Sequence, residues 1–192
     1  MIHSPRFVAL IDACVLYPAP IRDLLLNIAD LDLYTPKWTD YINEEWTRNL
    51  LSNRPDLTER QLQRTVRAMN EAFPDANVIN YESLVQSMSL PDQDDRHVVA
   101  AAVRCKADVI VTANIKDFPN EYLKQFDIEP KHPDNFIMDL IDLNPNGVLE
   151  AFENQVSNLR RPPKTDKELL VNFREVGLEA TAYELHKMLQ NR

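Results

Sequence analysis

Phe7-Val8-Ala9-Leu10-Ile11-Asp12 is a run of five apolar residues that ends abruptly on a carboxylate. An unbroken apolar run, in contrast to an alternating one, describes a strand buried on both faces of a parallel sheet. The charge that ends it then lies at the carboxyl edge of the sheet, where open α/β sheets bind their ligands. A local reading competes: Asp12 caps the turn entered through Ala13-Cys14-Val15-Leu16.

Working outward, Ala107-Asp108-Val109-Ile110-Val111-Thr112 is a second strong buried strand. Weaker strands fall at 31–35, where Pro36 ends the run, at 78–81 and near Ile128. Helices are predicted over about 21–29, 37–52, 91–105, 120–126 and 133–142. A further helix opens at the capping box Thr58-x-x-Gln61 and closes before Pro74. Helix and strand alternate, which predicts a parallel sheet covered on both faces. Asn144-Pro145-Asn146-Gly147 is the clear boundary, dividing a domain over 1–144 from a helical C-terminal extension over 145–192. Within that extension, Leu149 to Leu159 has helical spacing. Thr165-x-x-Glu168 caps a helix ended by Gly177, and Thr181-x-x-Glu184 is a second capping box.

The composition excludes several functions. No apolar run approaches the roughly 18 residues of a membrane span. Met1-Ile2-His3-Ser4-Pro5-Arg6 lacks the layout of a secretory signal. Two cysteines, Cys14 and Cys105, without a CxxC or Cys/His cluster, describe a reduced, cytoplasmic protein with no structural zinc. Cys14 reads as a small core residue. Only two glycines occur, both late, so no Gly-rich loop cradles a phosphate and the dinucleotide fingerprint is absent. The net charge of −9 lies wholly in 1–144, because 145–192 carries seven basic and seven acidic residues. Such a surface argues against broad nonspecific DNA binding, but not against a nuclease whose carboxylates hold metal ions.

Helical geometry selects among those carboxylates. With residues about 100° apart, Trp38, Tyr41, Ile42, Trp46 and Leu50 define an inward face with Glu45 near its middle, and Glu44 points outward. On the helix before Cys105 the face is set by Val98, Val99, Ala102 and Val103, with Asp95 along its centre. Asp92 is consistent with an N-cap. Thr112-Ala113-Asn114-Ile115-Lys116-Asp117 offers a polar edge and a fourth acid at the end of the second strand. Acids that converge repel one another and raise their own pKa values, and a divalent cation removes that conflict. Oxygen-only donors select Mg2+ or Mn2+, and such centres serve phosphoryl chemistry. Alternatives stay open residue by residue. Asp92 and Asp95 suit a helix N-terminus, Glu45 suits an arginine pair, and Asp117 suits a turn before Pro119. Arg96 suits either Asp92 or a phosphate, and the four histidines receive no role.

The motif order Val8-Ala9-Leu10-Ile11-Asp12, Asn43-Glu44-Glu45-Trp46, Asp95-Arg96-His97-Val98-Val99-Ala100 and Ile110-Val111-Thr112-Ala113-Asn114-Ile115-Lys116-Asp117 resembles the PIN-domain ribonucleases. Within them it is similar to the virulence-associated protein C (VapC) toxins of toxin–antitoxin pairs, over about residues 6–142. The resemblance implies a three-layer α/β/α sandwich. It also implies an endoribonuclease dependent on Mg2+ or Mn2+, with an RNA substrate, a cognate antitoxin and often a homodimer. By position it makes Asp12, Glu45 and Asp95 the family acids and Thr112 the polar residue beside them. Asn114 stands where many members have an acid, and Asp117, three residues on, is the substitute. Two other enzyme classes fit less well. An aspartate-nucleophile phosphatase wants an acid where Cys14 stands, and a receiver domain wants a lysine after a late strand. A PIN fold without catalysis, acting as a protein-binding module, is the remaining alternative.

Overall fold

A computed structural model describes residues 7–160 and 162–191 of the 192-residue chain. The stretch Met1–Arg6, read above for a signal sequence, lies outside the described residues. Two compact units divide the chain: 1–17 with 35–131, and 18–34 with 132–192.

The first unit is built on a four-stranded parallel sheet of order β2-β1-β3-β4. Its strands are β1 (Val8–Ile11), β2 (Thr35–Lys37), β3 (Val109–Val111) and β4 (Glu129–Lys131). The two strong apolar runs of the sequence are the two central strands. Ala9, Leu10, Ile11, Ile110 and Val111 are fully buried, as strands covered on both faces require. Ala9 pairs with Val109 and Ile11 with Val111, so the next residues in line, Asp12 and Thr112, emerge side by side at the carboxyl edge.

The weaker strands moved. The stretch 31–34 is a turn, and β2 starts at Thr35 and contains Pro36, paired with Ala9. Proline is tolerated there because β2 is an edge strand and its missing N–H leaves no central ladder bond unmade. The strand expected over 78–81 is reduced to an isolated bridge, Trp38 with Asn77, and Tyr81 leads into the short helix α5 (Glu82–Val85).

Helices α1 (Ala13–Leu16), α3 (Asp40–Asn53), α4 (Glu59–Ala72), α6 (Arg96–Cys105) and α7 (Asn120–Leu123) complete this unit. Helix α3 starts three residues later than its periodicity suggests, because Thr39 Oγ1 accepts the Ile42 N–H at 3.0 Å and fixes the N-cap. The capping box at Thr58 and Gln61 forms as read. Helix α6 also starts late, at Arg96. Asp92 Oδ1 instead accepts the Asp94 N–H at 2.9 Å and turns the chain before the helix begins. Val98 through Ala102 are fully buried, and α6 packs on β1 and β3. With glycine so scarce, Asn80, Lys106 and Asp127 take positive φ angles of 60°, 54° and 57° in the turns of this unit.

The second unit is helical: α2 (Ala19–Asp30), α8 (Pro133–Leu143), α9 (Pro145–Asn158), α10 (Asp166–Glu175) and α11 (Glu179–Gln190). Helix α2 packs on α9, α8 on α9 and α11, and α10 on α11. The Asn144–Gly147 stretch joins α8 to α9, with Asn144 Oδ1 accepting the Gly147 N–H at 3.0 Å. The box at Thr165 and Glu168 forms, whereas Thr181-x-x-Glu184 does not cap a helix. Thr181 is buried inside the first turn of α11. The donors of that turn go to Asp134 of α8, whose two carboxylate oxygens each accept at 2.9 Å, from the Ala180 and Thr181 N–H groups. A distant carboxylate thus does the work that the local box lacks.

Candidate active site

The carboxyl edge of the sheet positions the first acid. Asp12 follows β1 directly, is only 4% exposed and has an extended backbone. Its Oδ1 accepts the Ala13 N–H at 2.6 Å and its Oδ2 accepts the Thr112 hydroxyl at 2.8 Å. Cys14 Sγ also donates to Oδ2, at 3.1 Å. The capping reading and the site reading of Asp12 are therefore compatible, since one oxygen caps α1 and the other faces the strand edge. Cys14 is half-buried beside the acid, where the sequence reading made it a core residue. Burial, reinforced by the Asp12 charge, pushes its thiol up to about 12, so it stays protonated and donates.

Helix α3 supplies Glu45, whose side chain is 31% exposed, and Glu44 is exposed, as the face geometry requires. Ile42, Trp46 and Leu50 are buried on that face, but Tyr41, expected inward with them, is 47% exposed. Tyr41 is the second residue of α3 and lies in its first turn, at the N-terminal edge of that face. Burial, then the charge of Asp12, raises the Glu45 pKa, with Arg48 opposing.

Asp95 sits at the N-cap of α6, yet its side chain makes no cap hydrogen bond. Its carboxyl is pushed from an ordinary 3.8 to about 7, first by burial and then by the charges of Asp12, Asp92, Asp117 and Glu45. All four acids that the sequence singles out therefore share one electrostatic field. Asp117 ends a single 3-10 turn, Ile115–Asp117, in keeping with the turn before Pro119 that the sequence allows, and it is half-buried. Asn114 is exposed, and its N–H donates to Thr112 Oγ1 at 3.1 Å. Arg96 is half-buried, and its Nε has no hydrogen-bond partner among the described residues.

Among the described residues, no three His, Cys, Asp or Glu side chains stand close enough to hold one ion as they are placed. The donor chemistry nonetheless fits a hard divalent cation. Every candidate is a carboxylate, and their repulsion on Asp95 is the conflict such a cation relieves.

Sequence reasoning missed His97. It is 9% exposed, its Nε2 lies 3.7 Å from Glu45 Oε2, and its ring meets that of Tyr41 at 4.4 Å between centroids. Burial lowers its pKa against the raising charges of Asp12 and Asp94, so the contact with Glu45 joins a neutral ring to a carboxylate. The one sequence signal for it was its place two residues after Asp95, at the open end of α6.

The PIN domain family model matches residues 8–116, which is more than half of the chain and spans β1 through Lys116. The chain belongs to the PIN-domain family. The parallel sheet with helical connections is the α/β architecture expected of a PIN domain. A second family model, the VapC50 C-terminal domain, matches residues 133–187, over helices α8–α11. This PIN protein is also 40% identical over 95 residues to a relative from Mycobacterium tuberculosis (strain ATCC 25618 / H37Rv) described as "Putative ribonuclease VapC50". The match covers 50% of this chain and 56% of that relative's length. No solved structure matches the chain.

Proposed function

We propose that this PIN protein is an endoribonuclease dependent on Mg2+ or Mn2+, acting as the toxin of a toxin–antitoxin pair. One observation carries the reading: burial, and then the charges of Asp12, Asp92, Asp117 and Glu45 gathered around it, lift the Asp95 pKa to about 7. A fold does not keep such repulsion without a compensating cation or a substrate that uses it. The similarity to a protein described as a ribonuclease supports the same chemistry. Asp12, Glu45, Asp95 and Asp117 would hold the ion, with Asp92, Arg96, Thr112 and Asn114 supporting.

When bound, an ion of this kind activates water and stabilises charge on the phosphate oxygens. The chain's own groups prepare for it. Thr112 and the Ala13 N–H fix the two oxygens of Asp12, so that this carboxylate arrives oriented. Asp95, half protonated near neutral pH, has a proton to release as a cation or a raised pH favours its ionised form. His97, neutral and buried, packs beside Glu45 without neutralising it.

Incubation of the purified chain with cellular RNA tests the proposal. New RNA ends should form with Mg2+ or Mn2+, disappear in excess chelator, and be absent for Asp12→Ala. Equal cleavage with and without chelator refutes the metal dependence. Co-expression with the neighbouring open reading frame should suppress the cleavage if an antitoxin is encoded there.

The binding-module reading keeps one observation in its favour, the lack of a ready-made group of three ligands among the described residues. Calorimetric titration with Mn2+ separates the two. The nuclease reading requires a heat of binding that Asp95→Ala diminishes, and the module reading requires none.

A further inference from the structure

The exposed ring of Tyr41 has no place in the chemistry above. Tyr41 and Glu45 are one helical turn apart and so share a face of α3. Tyr41 is 47% exposed, although a large aromatic of α3 gains most by burial, as Trp46 does at 0%. Its ring is held from one side by His97, edge to face at 4.4 Å and 65°. His97 is itself buried, and its Nε2 lies against Glu45. Three side chains therefore run in a row from an open aromatic surface to a member of the acid cluster. Support from a buried neighbour fixes the ring before any ligand arrives.

We propose that Tyr41, backed by His97, is a stacking platform for an unpaired RNA base beside the acid cluster. The inference rests on the ribonuclease reading and names what holds the substrate there. A bound cation would offset the carboxylates at the reacting phosphate, but the rest of an RNA strand meets a chain of net charge −9. Attraction that does not depend on charge is what the site needs. Stacking on an aromatic face supplies it for any base, because every base has a π-face. The groove between α3 and α4 offers no positive track in its place. Arg48 and Arg67 line it, but so do Asp40, Glu44 and Glu59.

The test uses the 192-residue chain carrying Asp95→Asn, which removes one crowded charge and should leave RNA uncut. The probe is fluorescein-labelled single-stranded RNA of randomised sequence, read by anisotropy in Mg2+. Tyr41→Leu and Tyr41→Ala, added to that background, should weaken binding roughly 5- to 150-fold, and Tyr41→Phe should stay within about twofold of the parent. Leucine keeps apolar bulk without the π-face, so its failure isolates stacking. Thermal unfolding of each variant checks that the fold is intact, as the exposure of Tyr41 implies. If Tyr41→Leu binds as tightly as Tyr41→Phe, the platform is refuted and the ribonuclease reading is untouched. If the parent binds no RNA and the wild-type chain cuts none, the ribonuclease reading falls and the platform falls with it.

Discussion

Thr112 Oγ1 donates to Asp12 Oδ2 at 2.8 Å, joining residues 100 positions apart in the chain. The pairing of Ile11 with Val111 puts them side by side, because each is the first residue beyond its strand. Both are almost completely buried, so the bond replaces hydration that the carboxylate has lost. Thr112→Val keeps the shape and removes the donor. It should lower stability by about 1–3 kcal/mol, read from denaturant unfolding. Cleavage should fall on the order of ten- to a hundredfold, because Asp12 loses its orientation. Thr112→Ser restores the hydroxyl and should recover most of both. A serine variant as impaired as the valine one would show that the methyl group, and not the bond, is what counts.

Asp95 makes stability depend on pH in an unusual direction. Its carboxyl titrates at about 7 when folded and near 3.8 when free. Between those values the folded protein binds a proton that the unfolded chain has already lost. Stability in the absence of metal should therefore be highest at the acid end of this window and fall as pH rises from about 4 to about 7. A shift of this size corresponds to about 4 kcal/mol at full burial, and the partial exposure of Asp95 reduces that to about 1–2 kcal/mol. Added Mg2+ or Mn2+ should raise Tm at pH 8 and do little at pH 5. Asp95→Asn should flatten the pH profile. A metal-free Tm that rises steadily from pH 5 to 8 would contradict the crowding of charge on Asp95.

The two central strands and their terminal acid were legible because continuous apolar runs have few alternative explanations. The orientation of Glu45 over Glu44 was legible because a helix fixes angles between neighbours. Edge elements were not. Strand β2 contains only three residues, one of them Pro36, and pairing alone defines it. Tyr41 satisfied the apolar periodicity of α3 yet lies open, since periodicity reports direction and not what waits there. His97 and Cys14 joined the site through tertiary contacts, with Glu45 and with Thr112 and Ala113, that no local pattern encodes. The second capping box failed for the same reason. Helix α11 starts at Glu179, so Thr181 lies inside its first turn, and Asp134, 46 residues away from Ala180, accepts the Ala180 and Thr181 N–H groups.

Lys106 offers a stabilising substitution. It follows α6 in the left-handed conformation at φ 54°, where a side chain is strained and glycine is not. Its N–H closes the helix onto Ala102 and Val103, a role that glycine performs as well. Lys106→Gly should add about 0.5–1 kcal/mol, visible as a higher midpoint in urea without a change of slope. Lys106→Val, β-branched at positive φ, should lose at least as much. Equal stability of the two variants would mean that the helix end relaxes out of the left-handed conformation.

Asp134 is the equivalent test for the helical unit. Its two oxygens satisfy two of the donors that open α11, and the negative charge suits the positive end of the helix. Asp134→Ala leaves the Ala180 and Thr181 N–H groups without that partner and should destabilise the unit by about 1–2 kcal/mol. Asp134→Asn keeps one acceptor and loses the charge, so its effect should fall between alanine and wild type. Hydrogen exchange gives the local readout. The Ala180 and Thr181 amides should exchange faster in Asp134→Ala, whereas amides of β1 and β3 in the other unit should keep their protection. Unchanged exchange at Ala180 and Thr181 would show that the first turn of α11 is held by its packing on α8 and α10, with the carboxylate incidental.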